Sequence, residues 1–153
     1  QPIWSYMASS FAMRDSRRIC IVHRKYLALA VIASVGTIVI GLFINPVLAI
    51  WLGSQAPALS LVESASLVFL VAVTVLTNSE TCLGNATNRL WPQVVGYCLG
   101  AISKYPLSVG LSIIIPGWAS VVLANGFVLI PVLVSQHIAN RWLTANGEED
   151  SVA

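Results

Sequence analysis

The chain has 153 residues, of which 57% are hydrophobic and 9% charged, with a net charge of +2 and a mean hydropathy of +0.82. Soluble domains hold about 45–50% apolar and about 25% charged residues, so a globule of this composition lacks the polar surface to stay dissolved. The small net charge carries no nucleic-acid signal. Cys20, Cys82 and Cys98, odd in number and widely spaced, suggest neither a disulfide framework nor a metal site and are expected to be reduced and structural.

The chain opens on Gln1, and no charged n-region with a short apolar core and a small-residue cleavage site follows, so no signal peptide is evident. It is expected to be the downstream piece of a longer protein. Residues 1–13 are apolar but too short to cross a bilayer of ~30 Å, which takes about 20 helical residues, and they predict the end of a preceding span. Residues 14–25 alternate cations with Ile19, Ile21 and Val22, the pattern of a helix at a cytoplasmic interface facing anionic headgroups.

Four complete spans follow, at 26–45, 57–78, 93–115 and 118–138. Pro46 ends the first, and an uncharged connection through Trp51, Gly53 and Gln55 leads to Pro57 at the start of the second. A polar cytoplasmic loop over 80–91 holds Glu80, Gly84, Asn85 and Arg89. The third span carries Lys104 and Pro106, Pro116-Gly117 makes a tight outer turn, and Pro131 kinks the fourth. Trp51, Trp91, Trp118 and Trp142 fall at span ends, the level indoles prefer. Residues 139–153 form a polar cytoplasmic tail, expected to be disordered from Thr144 on through Glu148, Glu149 and Asp150. The predicted fold class is therefore an all-α membrane protein, a partial transmembrane helix bundle of four spans and the end of another.

Charge orients this bundle. Arg14, Arg17, Arg18, Arg24 and Lys25 precede the first span, Arg89 lies between the second and third, and Arg141 follows the fourth, while the two other connections are uncharged. This is the positive-inside pattern, with basic loops and C-terminus cytoplasmic. The exception is Lys104, in the middle of the third span, where an ammonium costs several kcal/mol without a partner or water.

At 100° per residue, Ser60, Glu63, Ser66, Thr74 and Thr77 share a face of the second span, and Gln93, Tyr97, Gly100, Lys104 and Ser108 share one of the third. The fourth offers Asn125 and Gln136. Such Ser, Thr and Gly positions usually serve as packing glue, with Gly96 and Gly100 permitting close approach. Glu63 and Lys104 are costlier. At ~1.5 Å per residue they lie roughly 10 and 15 Å below the outer surface, so they either pair or line a cavity. His23 and His137 have no carboxylate or second His at ligand spacing, and headgroup or solvent contacts are expected of them rather than metal binding. No cofactor motif, catalytic triad or paired carboxylate marks an enzyme.

The run Pro2-Ile3-Trp4-Ser5-Tyr6 with Ala12-Met13-Arg14-Asp15 and a basic helix resembles the boundary between the lobes of polysaccharide-biosynthesis flippases. Ile50-Trp51-Leu52-Gly53, Leu83-Gly84-Asn85 through Gln93, Lys104-Tyr105-Pro106-Leu107-Ser108 and Gly117-Trp118-Ala119 resemble further elements of that family in their usual order. The family is the oligosaccharidyl-lipid branch of the multidrug/oligosaccharidyl-lipid/polysaccharide exporters. The resemblance implies a C-terminal bundle that works with a missing N-terminal helix bundle around a hydrated cavity in the bacterial inner membrane.

It further implies an undecaprenyl-pyrophosphate-linked oligosaccharide as cargo, for O-antigen or exopolysaccharide synthesis, with membrane lipids and a polysaccharide polymerase or export proteins as partners. Lys104 would contact the anionic cargo, Tyr97 and Gln93 would meet sugar hydroxyls, and Glu63 would balance Lys104 or carry a coupling ion. The alternatives are a multidrug or metabolite exporter of the same superfamily, a non-transporting membrane subunit of a polysaccharide-synthesis complex, or a membrane-embedded glycosyltransferase or polymerase. The last would be expected to carry charged loops, whereas the outer connections here are short and uncharged.

Overall fold

The computed structural model describes residues 3–115 and 117–149, with side chains through Arg141. Among the described residues six α-helices follow one another: α1 Ile3–Ala12, α2 Ser16–Leu42, α3 Ile44–Leu52, α4 Leu61–Ala86, α5 Trp91–Ile114 and α6 Trp118–Glu149, with a 3₁₀ turn Gly53–Gln55 after α3. α2, α4, α5 and α6 are each long and apolar enough to cross a membrane. The fold is thus an all-α, multi-pass membrane bundle, as the composition predicts.

The helix ends differ from the expected spans for local reasons. α2 begins ten residues before the expected span, at Ser16, because Asp15 caps it: its carboxylate accepts the backbone N–H of Arg18 at 2.9 Å. The basic segment is therefore the first turns of a continuous helix rather than a separate interfacial one. Arg14, at φ 57°, makes the reversal from α1, and the guanidinium of Arg18 sits 5.0 Å from the ring centroid of Tyr6, tying the two helices together.

At the other end, α2 stops at Leu42 and the chain restarts as α3, with Pro46 in its first turn, where a missing N–H loses no helical bond. Asn45 then clips the connection between α3 and α4 shut. Its Nδ2 donates to the carbonyl of Leu59, and the N–H of Leu59 donates to its Oδ1, both at 2.9 Å.

α4 starts at Leu61, four residues after Pro57, and runs on to Ala86, absorbing most of the expected loop at 80–91. The actual turn is short, with Asn88 at φ 57°, and Pro92 opens α5. α6 continues to Glu149, so the backbone is helical through much of the stretch expected to be disordered. The remaining tail residues from Asp150, Pro116 of the expected outer turn and the side chains of Trp142, Glu148 and Glu149 lie outside the described set.

α4 and α6 form the centre. α2 and α1 pack on α4, and α5 packs on α6, so the spans lie in the order α2, α4, α6, α5. Large aliphatic side chains such as Ile32, Ile102 and Ile113 are exposed, while Ser66, Thr77, Ser79, Ser120 and Gln136 are buried. That inversion suits a bundle in lipid, where the exterior is apolar and small side chains let helices approach.

The hydroxyls of Ser66, Thr74 and Thr77 bond to carbonyls one turn back at 2.7 Å, so they occupy the interface without unmet polarity. Ser135 adds a bond across helices, to the carbonyl of Pro92 at 3.1 Å.

Gly96 and Gly100 lie where α5 meets α6. A β-carbon at Gly96 would stand 2.7 Å from Cα of Val132, and one at Gly100 would stand 2.9 Å from the carbonyl oxygen of Val128. Since backbone cannot step aside as a side chain can, Gly96→Ala is expected to destabilise the bundle by about 1–3 kcal/mol. Gly36 has open space around it, and Gly36→Ala should leave stability equal or higher by up to about 1 kcal/mol. Equilibrium unfolding in mixed micelles compares the two.

Candidate functional site

Two sets of polar side chains stand out in the bundle, one on α5 and one where α2, α4 and α6 converge. On α5, Lys104 lines a groove of about 550 Å³ with Tyr105, Ser108 and Ser112 of its own helix and Gly117 and Ser120 at the start of α6. Lys104 is four residues beyond Gly100, so the same close approach of α5 to α6 that Gly100 permits places the ammonium at the groove. Pro106 lies inside the helix, which remains continuous through it. The described lining holds a cation and no carboxylate and is otherwise largely apolar, with Ala101, Val109 and Val121, while the hydroxyls of Ser112 and Ser120 donate to the carbonyls of Val109 and Gly117.

The other members of the expected stripe diverge. Tyr97 is 41% exposed on α5, whereas Gln93 is half-buried, with its Oε1 lacking a hydrogen-bond partner. Along the helix, Tyr97 and Gln93 lie about 10 and 16 Å from Lys104. A compact ligand cannot touch all three, while an extended one can.

Glu63 is placed differently from expectation. Its Oε2 accepts both the backbone N–H and the hydroxyl of Ser60 at 2.8 Å, and the N–H of Glu63 donates to Ser60 Oγ at 3.3 Å. This is a reciprocal capping box at the start of α4, where a carboxylate also complements the helix dipole. Glu63 is engaged with Ser60 here, and no ion pair joins it to Lys104 among the described residues. Ser60→Ala is expected to cost about 1 kcal/mol of stability, with Glu63→Gln costing less because an amide oxygen preserves the acceptor. Chemical unfolding of both variants measures the difference.

The second set centres on Glu80, which is 1% exposed. His137 Nδ1 lies 2.7 Å from its Oε1. Asn140 Nδ2 donates to its Oε2 at 2.6 Å and to its backbone carbonyl at 2.9 Å. His23 Nε2 reaches to 3.5 Å of Oε2 from α2. Gln136, fully buried, donates from Nε2 to Asn140 Oδ1 at 3.4 Å, and it lies against Gly84, where a β-carbon would collide with its amide.

From the sequence, Glu80 is expected in a loop, and His23 and His137 are expected to have no carboxylate near them. Instead, the tertiary fold brings all three together from helices 57 residues apart in the chain. A signal was available. Ser66, Val73, Thr77, Glu80 and Gly84 recur at helical spacing on the buried face of α4, so extending the polar stripe past Asn78 finds Glu80. His137 and Asn140 sit within one turn of Gln136, the residue already noted on α6.

Comparison with family models, with curated proteins and with solved structures yields no match.

Proposed function

We propose that this chain is a helix bundle of a transporter that flips undecaprenyl-pyrophosphate-linked oligosaccharide repeat units across the bacterial inner membrane, for O-antigen or exopolysaccharide synthesis. The observation that carries this reading is Lys104 in a groove whose described lining holds no carboxylate. Pyrophosphate and acidic sugars are anions, and a cation with no competing carboxylate beside it attracts them. An exporter of cationic drugs would want the opposite charge there.

In this scheme the basic end of the bundle, with Arg14, Arg17, Arg18, Arg24, Lys25, Arg89 and Arg141, faces the cytoplasm. The exposed side of α5 around Tyr97, Lys104 and Tyr105 faces a hydrated cavity completed by a second bundle. Sugars extending from the pyrophosphate reach toward Tyr97, whose ring presents an apolar face to them. Transport makes and breaks no covalent bond, so the protein contributes differential binding of the cargo in two conformations.

Complementation tests the scheme. The complete gene is expected to restore surface polysaccharide to a flippase-deficient strain, and lipid-linked repeat units should cross the membrane of proteoliposomes that contain the purified protein. Restoration of neither would reject it.

A further inference from the structure

The Glu80 cluster plays no part in binding the cargo, yet it gathers three titratable groups in the interior of the bundle. We propose that Glu80, His23 and His137 form an exchangeable proton-binding site, loaded from solvent through His137. The inference is independent of what the protein carries.

Charge makes the case. A lone carboxylate as buried as Glu80 would cost several kcal/mol. Asn140 supplies a neutral donor at 2.6 Å, but neutral hydrogen bonds do not cancel the charge. Two imidazoles flank the carboxylate, His137 on Oε1 and His23 on Oε2, so the cluster can hold zero, one or two protons on them. With one proton its net charge is zero. With none, a buried anion remains, and with two, an excess cation.

Exposure gives the path. The side chain of His137 is 44% exposed, whereas those of Glu80 and His23 are 1% and 8% exposed. His137 therefore reaches both the surface of the bundle and the carboxylate. His23, whose Nδ1 is buried without a partner, is the inner arm. Among the described residues, the titratable side chains meeting Glu80 are these two, from α2 and α6. Cys20 is buried one turn before His23, and Arg24, Arg89 and Arg141 lie at the same end of the bundle with contacts of their own. Because the cluster is where α2 reaches α6, the proton's presence bears on the packing of three spans.

The test is a pH titration of the full-length protein in lipid nanodiscs, following the imidazole ¹⁵N resonances of both histidines by NMR. In the wild type each histidine should titrate in two linked steps, since the charge on one is felt by the other across the cluster. In Glu80→Gln, which keeps an acceptor for Asn140, both curves should shift to lower pH, because the anion that favours each imidazolium is gone. Independent curves in the wild type, unchanged in Glu80→Gln, would overturn the proposal. Should Glu80→Gln fail to fold, His137→Asn decides: the His23 curve loses its second step if the site exists, and an unaltered curve overturns it.

Discussion

Under the proposed function, Lys104→Met is expected to lower transport of lipid-linked oligosaccharide at least tenfold, while Lys104→Arg retains most of it. Methionine preserves the length and apolar stem of lysine but removes its charge, so the pair separates electrostatics from packing. Two unit charges 4 Å apart attract by about 4 kcal/mol at an effective dielectric of 20, and a loss of only about 1.4 kcal/mol already accounts for a factor of ten. Because the groove lining holds no carboxylate, nothing there competes with the cargo for the ammonium. Stability should change little, since Lys104 is exposed on α5. Flux in proteoliposomes, read beside surface expression, is the measurement. Wild-type flux in Lys104→Met would remove the groove from the mechanism.

Glu80→Ala should be among the most destabilising single changes in the bundle, by about 3–5 kcal/mol. The substitution strands the side-chain donor of Asn140 facing Oε2, leaves His137 Nδ1 without its acceptor and opens a cavity where three helices meet. Glu63→Ala removes only a helix cap and should cost about 1 kcal/mol. Equilibrium unfolding in mixed micelles places the two glutamates in order. A Glu80→Ala protein within 1 kcal/mol of wild type would show that the cluster contributes little to holding α2, α4 and α6 together. The expected ranking reverses the one that charge within a predicted span suggests, which favours Glu63 over a Glu80 expected in a loop.

That reversal has a physical origin. A carboxylate near the end of an apolar run can belong to a solvated loop, a helix cap or a buried network, and these have the same local sequence. Ser60 and Glu63 do carry a local signature, since a serine three residues before a glutamate, followed by an apolar run, is the pattern of a capping box. Glu80 has no comparable local sign. Its environment is made by His23, 57 residues earlier, and by His137 and Asn140 on α6. One-dimensional periodicity indicates which face of a helix is polar but not which other helix meets it.

What the amino-acid order determined unaided is the membrane class and the four apolar helices, because a length of about 20 residues and the cost of charge in lipid act on each segment separately. The grouping of cations at one end of the bundle and the placement of Trp51, Trp91 and Trp118 at helix ends are legible for the same reason. Only the tertiary structure decided that Lys104 borders a groove with Ser108 and Ser120, and that Glu80 lies between two histidines. Those outcomes depend on which helices become neighbours, and that is set by close contacts such as Gly96 on Val132 and Gly84 on Gln136, whose partners no local pattern specifies.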